Sequence, residues 1–152
     1  MPPLVSRVQS WVDLLARHLA FVPPLLTRIV LGLAFIGTGW GKLHSLDNLI
    51  SYFASLGIPA ANIQAPFIAG LEFVGGICLL LGLGTRLFAG LLGCTMIVAL
   101  LTALRDKIGS FDDLSSQMEF LYLLLFIWLT VDGAGLVSLD WPLAKRWRKA
   151  GV

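Results

Sequence analysis

Charge is what this sequence has least of. Only 13% of its 152 residues are Asp, Glu, Lys or Arg while 57% are hydrophobic, whereas soluble domains carry roughly 25% charge. With a mean hydropathy of +0.86, that shortage argues against an ordinary soluble domain and for a single integral membrane domain. The excess of either sign is small as well: a net charge of +2 and a pI near 8.7 are too mild to suggest nucleic acid as a partner. Cysteine is scarce too. Cys78 and Cys94 stand in apolar stretches without CxxC or metal-type spacing, which indicates neither a disulfide framework nor a metal site. A thiol-redox bundle, which needs a reactive cysteine pair near a membrane face, is disfavoured for the same reason.

What is present is apolar sequence in long runs, and one of them holds a single acid. Residues 66–84 read PFIAGLEFVGGICLLLGLG, with Glu72 as the one carboxylate. An ionised side chain at the centre of a membrane helix costs roughly 2.5 to 3.5 kcal/mol on insertion scales, so Glu72 is expected to face a bundle interior, a partner or a water-filled cavity. Its neighbours at helical spacing, Ala65, Ala69, Gly76 and Leu79, form a mostly small face that another helix can approach closely. A structural ion pair, or a carboxyl kept neutral by apolar surroundings, is the plainer reading of the same residue.

The spacing predicts an all-α protein: a transmembrane four-helix bundle preceded by an amphipathic interfacial helix. Residues 1–24 hold that helix, with Leu4, Val8, Trp11, Val12, Leu15 and Leu19 on one stripe and Arg7, Asp13 and Arg17 opposite. Scattered charge and the lack of a cleavage site argue against a signal peptide. Pro23 and Pro24 break this helix and start the next. Spans follow at about 25–43, 66–83, 86–104 and 118–135, each near the ~20 residues a hydrocarbon core requires. In the first, Arg28, Gly32, Phe35, Gly39 and Lys42 share a face; Arg28 reads as a cation snorkelling to the headgroups. Trp40 reads as part of an aromatic belt. Residues 44–65 predict a short interfacial helix through Leu46, Leu49, Ile50 and Phe53, broken at Gly57 and Pro59. His44 has the plain reading of a polar anchor. Thr95 and Thr102 suit hydroxyls that satisfy helix carbonyls. IGSFDDLSSQ reads as a polar loop, and Glu119 as a carboxylate favoured in a first helical turn. Residues 136–152 read as a basic tail in which Lys145, Arg146, Arg148 and Lys149 beside Trp141 and Trp147 suit an anionic leaflet.

Lys and Arg divide unequally between the two ends of the spans. Arg7, Arg17, Arg28, Arg86, Lys145, Arg146, Arg148 and Lys149 fall on one side and Lys42, Arg105 and Lys107 on the other, which predicts both termini in the cytoplasm. Lys42, His44, Glu72, Arg105 and Glu119 then share the outer half. With a span starting at Pro66, Glu72 lies about 9 Å along its axis, within reach of Lys42 or Arg105 bending inward.

The sequence resembles the DoxX family of small four-span membrane proteins. The matching residues are LLTRIVLGLAFIGTGWGKL, LISYFASLGIPAA and GLEFVGGICLLLGLGTRLFAGLLG, within a domain of residues 25–135. The resemblance implies a four-helix membrane bundle with Arg28, Lys42, Glu72 and Arg86 at its characteristic polar positions. It also implies kinship with small subunits of thiosulfate and quinone oxidoreduction and with proteins of oxidant or quinone resistance.

Three functions compete on this basis. The first is a component of a redox system in the bacterial inner membrane. It would bind quinone, or another small apolar head-grouped molecule, in an outer-half pocket. Glu72 exchanges a proton there, Lys42 and Arg105 hold an oxyanion or tune the carboxylate, and Trp40 or Phe73 packs on the ring, with His44 and Glu119 at its edge. Arg28 and Arg86 are structural charges, no cofactor is covalently bound, and the partners are membrane lipids, quinone and either a second copy or a redox subunit. The second is a non-catalytic assembly partner whose charges fix helix register. The third is a small proton-coupled carrier.

Overall fold

The computed structural model describes residues 3–149. The outermost residues of the predicted interfacial helix and basic tail, 1–2 and 150–152, lie outside the described residues, as do the side chains of 3–7, 144 and 147–149. All regular structure described is helical. In chain order it comprises α1 (Pro3–Leu19), α2 (Val22–His44), α3 (Leu46–Ser55), α4 (Ala61–Leu81), α5 (Thr85–Leu101), a 3₁₀ turn (Arg105–Lys107), α6 (Phe111–Ser116), α7 (Met118–Asp132) and α8 (Asp140–Lys149).

Local chemistry explains the breaks. Pro23 and Pro24 occupy the first turn of α2, where a missing N–H costs nothing. Between α4 and α5 the chain reverses through Gly82 (φ 67°) and Gly84 (φ 59°), both left-handed conformations that a side chain would strain. Leu46, Leu49, Ile50 and Phe53 are all half-buried, as their spacing requires.

The helices pack on glycine. α2 and α4 run antiparallel with backbones in contact: an added Cβ would sit 2.9 Å from the Gly76 carbonyl oxygen at Gly32, and 2.8 Å from the Phe73 Cα at Gly39. Close approach of this kind lets dispersion contacts replace the hydrophobic effect as the force between apolar helices. One core then joins α2, α4, α5 and α7 through Leu31, Phe35, Leu79, Leu92, Phe126 and Leu129. Phe35 meets Tyr122 and Phe126 edge-on at 5.6 and 5.1 Å, the geometry that ring quadrupoles favour. The outer faces remain apolar: Val30, Phe67, Leu87 and Val131 are all exposed.

Three features differ from expectation. Pro66 lies inside α4, five residues past its start; at that depth proline forfeits one backbone bond without ending the helix. The loop after α5 contains α6, because Ser110 and Asp113 form a capping box that satisfies two amides reciprocally. Hydrogen bonds from the Ser110 hydroxyl and the Gly109 and Ser110 amides hold the Asp113 carboxyl below the usual carboxylate range. Lastly, α5 and α7 have 17 and 15 residues, shorter than the predicted spans: α5 gives way at Thr102, and α7 stops at Gly133, whose φ is 91°.

The start of the presumed tail also folds back on the helices. The Leu139 and Asp140 amides donate to the carbonyls of Leu81 and Gly82 at 3.3 and 2.9 Å, and the Asp140 carboxylate accepts from the Gly84 and Thr85 amides at 2.6 and 2.9 Å. Asp140 thereby caps α5 from a distant part of the chain. Asp140→Ala is expected to destabilise the protein by about 1 kcal/mol, the worth of a helix N-cap. Thermal unfolding in detergent checks this, and an unchanged midpoint would show that the cap contributes nothing.

Candidate functional site

The lone acid of the apolar run lies mid-helix. Glu72 is eleven residues into α4 from Ala61, about 16 Å along the axis, rather than the shallower position that a start at Pro66 implied. Its side chain is only 2% exposed, because Ala65, Ala69, Gly75 and Gly76 turn the same side of α4 inward. Lys42 reaches it from the last turn of α2, with Nζ 2.5 Å from Oε1. It can do so because Gly39, one turn earlier, brings the two backbones together. This is the one ion pair among the described residues.

The pair is unsymmetrical. Lys42 keeps 35% of its side chain exposed while Glu72 is enclosed, so the ammonium links a buried carboxylate to the surface. The second carboxylate oxygen, Oε2, is buried and has no hydrogen-bond partner among the described residues. A buried acceptor left open costs on the order of 1–3 kcal/mol, a cost that a donor group reaching Oε2 would remove.

Three more of the expected residues lie together. Trp40 packs on Phe73, which follows Glu72 in sequence, at 5.6 Å between ring centroids, and on His44 at 4.2 Å. The His44 Nδ1 lies 2.9 Å from the Trp40 carbonyl oxygen. Trp40 is 55% exposed, so these rings form an aromatic patch on the outside of the α2–α4 pair.

The structure does not bring Arg105 or Glu119 to Glu72. Arg105 is exposed in the 3₁₀ turn and lines a cavity bounded by α5, α6 and α7. Glu119 is half-buried in the first turn of α7 and has no ion-pair partner among the described residues. The expected cluster of opposite charges is thus a single pair, because a sequence position fixes height along a helix but not which neighbour it faces.

Arg28 departs from the snorkelling expectation. It is 1% exposed, donates through Nη2 to the Val137 carbonyl and through Nε to the Pro24 carbonyl at 3.4 Å, and lies over Gly82, where a Cβ would overlap its guanidinium. Arg86 donates to the Asp132 carbonyl at 3.4 Å, at the C-terminus of α7. Sequence reasoning missed Asp140, whose only signal was an acid ahead of a tryptophan–proline pair, and missed the Val137 carbonyl entirely.

Comparison with known proteins decides the kinship. The DoxX family model matches residues 24–105, from the first turn of α2 to the first residue of the 3₁₀ turn after α5. The chain belongs to the DoxX family. Three relatives of this DoxX protein extend the likeness over most of its length. One, from Bacillus subtilis, bears the name "Putative oxidoreductase CatD" and is 31% identical over 127 residues, covering 84% of this chain and 90% of the relative. The inner membrane protein YqjF of Escherichia coli is 31% identical over 134 residues, covering 86% and 99%. An uncharacterized membrane protein of Mycobacterium tuberculosis is 34% identical over 159 residues, covering 97% and 96%. No solved structure is significantly similar. Membership makes the DoxX chain a membrane protein, which agrees with the stretches Val8–His44 and Ala61–Leu81 being long and apolar enough to cross a bilayer.

Proposed function

We propose that this DoxX protein is a component of a redox system in the bacterial inner membrane, and that Glu72 and Lys42 handle the proton of a quinone or a similar small molecule with an apolar ring or head. The observation that carries the proposal is the 2.5 Å pair itself, whose enclosed carboxylate keeps one oxygen open while its lysine reaches the surface. Such a pair can hold a proton inside and exchange it through a partly exposed relay. The ring packs on Trp40 and Phe73 with His44 at their edge, since Gly32, Gly39 and Gly76 leave no room between α2 and α4. The electrons pass to or from a partner redox subunit. A relative whose name includes oxidoreductase favours this class of chemistry.

In this reading α2, α4, α5 and α7 cross the membrane as one domain of residues 25–135, the short α5 and α7 being matched by local thinning of the bilayer. α1 lies in the interface as an amphipathic helix, and the ends of the bundle that adjoin α1 and α8 face the cytoplasm, with the basic α8 on the anionic leaflet. Exposed Trp11, Val12 and Leu15 on α1 support the interfacial placement. Quinone binding by the purified chain, and quinol oxidation with the partner redox subunit present as electron acceptor, are to be measured on wild type and Glu72→Gln. A fall of about 100-fold in turnover is expected for loss of an acid–base group, and equal activity removes Glu72 from the mechanism.

One observation favours a second reading, that of a non-catalytic assembly partner. The pair sits one helical turn from the tightest backbone contact, at Gly39 and Phe73, where it could serve only to fix register. Glu72→Gln would then lower abundance or assembly while leaving ligand binding per folded molecule unchanged.

A further inference from the structure

Two neighbouring cavities among the described residues have linings that do not include Glu72. The larger, about 710 Å³, is walled by Ile97, Leu101, Ile108, Leu114, Phe120 and Leu123, with Arg105 as the one charged residue lining it. That volume is within the ~300–1,000 Å³ range of small-molecule sites. The smaller, about 200 Å³, continues between α5 and α7 and shares Ile97 and Leu123 with the first. Its floor is Gly90 and Gly93; a Cβ added at Gly90 would meet nothing nearer than Thr130 at 3.9 Å. The result is an apolar track with a cation at one end.

We infer that this track holds one acyl chain of an anionic phospholipid whose phosphate sits on Arg105. The inference rests on the reading that α5 and α7 cross the bilayer. Length supports it: from Leu101 to Gly90 the track runs about 16 Å at ~1.5 Å per residue, close to the ~15 Å half-thickness of a hydrocarbon core that one lipid tail fills. Charge supports it as well. Arg105 has no side-chain hydrogen bond or ion pair among the described residues, and Asp106 and Lys107 beside it do not line the cavity. A guanidinium fork matches phosphate oxygens bidentately, and the choline cation of a zwitterionic headgroup opposes that contact where an anionic headgroup has no such charge. Among the described residues that line the larger cavity, Arg105 is the one whose charge can favour a net anionic headgroup.

Native mass spectrometry of the full chain in detergent, with phosphatidylglycerol competing against phosphatidylcholine, tests the inference. Wild type is expected to retain one phosphatidylglycerol in preference to phosphatidylcholine. Arg105→Gln is expected to lose about fivefold of that preference, and Lys107→Gln to keep it. Gly90→Leu fills the lower track and is expected to weaken retention of both lipids, with thermal unfolding reporting that it is folded. No preference in wild type overturns the inference. So does equal loss in Arg105→Gln and Lys107→Gln, which would mark a general surface charge, or undiminished retention in folded Gly90→Leu, which would mark a bulk lipid shell. Labelling of Leu83→Cys and Lys107→Cys with an impermeant thiol reagent in sealed vesicles tests the crossing separately. Labelling of both from one side overturns the premise whatever the lipid data show.

Discussion

Gly39→Leu is expected to destroy the fold of the α2–α4 pair. An added Cβ there overlaps the Phe73 backbone nitrogen and lies 2.8 Å from its Cα, and backbone cannot rotate aside as a side chain would. Overpacking of a tight contact costs about 3 kcal/mol, and prying the helices apart also removes the reach by which Lys42 meets Glu72. Gly37 and Gly41, two positions either side, have nothing within 4 Å of an added Cβ, so Gly37→Ala and Gly41→Ala are expected to leave stability unchanged or slightly raised. Yield and thermal unfolding in detergent separate the three. Equal tolerance at all positions would mean that α2 and α4 do not touch at Gly39.

The second large effect is an asymmetry between the partners of the ion pair. Lys42→Met leaves Glu72 enclosed with neither oxygen partnered and is expected to cost about 3–5 kcal/mol, the range for breaking a buried pair. Glu72→Gln leaves Lys42, already 35% exposed, free to turn into water or headgroups, and its cost is expected to be about 1 kcal/mol. Unfolding midpoints of the two variants check the order. Were the glutamate variant the more damaged, the lysine would be the enclosed partner and the assignment of roles would reverse.

The parts of this architecture legible in sequence are those that one helix specifies by itself. Gly32, Phe35 and Gly39 repeat at helical spacing, so the buried face of α2 follows from periodicity, and the same spacing places Lys42 at its end. A carboxylate in an apolar run must be compensated, which singled out Glu72 before any partner was known. Relations between helices were not legible. Arg105 lies in the turn beyond α5 and lines a cavity between α5, α6 and α7, because direction around an axis is set by packing. Arg28 is held by Val137, 109 residues away in sequence, and Asp140 caps amides 55 and 56 residues away, and no local pattern announces either. Pro66 reads as a boundary because proline more often begins a helix than interrupts one, yet α4 starts five residues earlier. The serine and aspartate that start α6 did carry a local signal, a capping box, hidden within a stretch rich in polar residues.

The central claim is that Glu72 is tolerated in an apolar interior because Lys42 compensates it. A double-mutant cycle on thermal unfolding, built from Lys42→Met, Glu72→Gln and the pair of substitutions together, measures that compensation directly. Coupling of about 1–3 kcal/mol is predicted for groups in contact, with the double variant more stable than Lys42→Met alone. Strictly additive costs would contradict the claim.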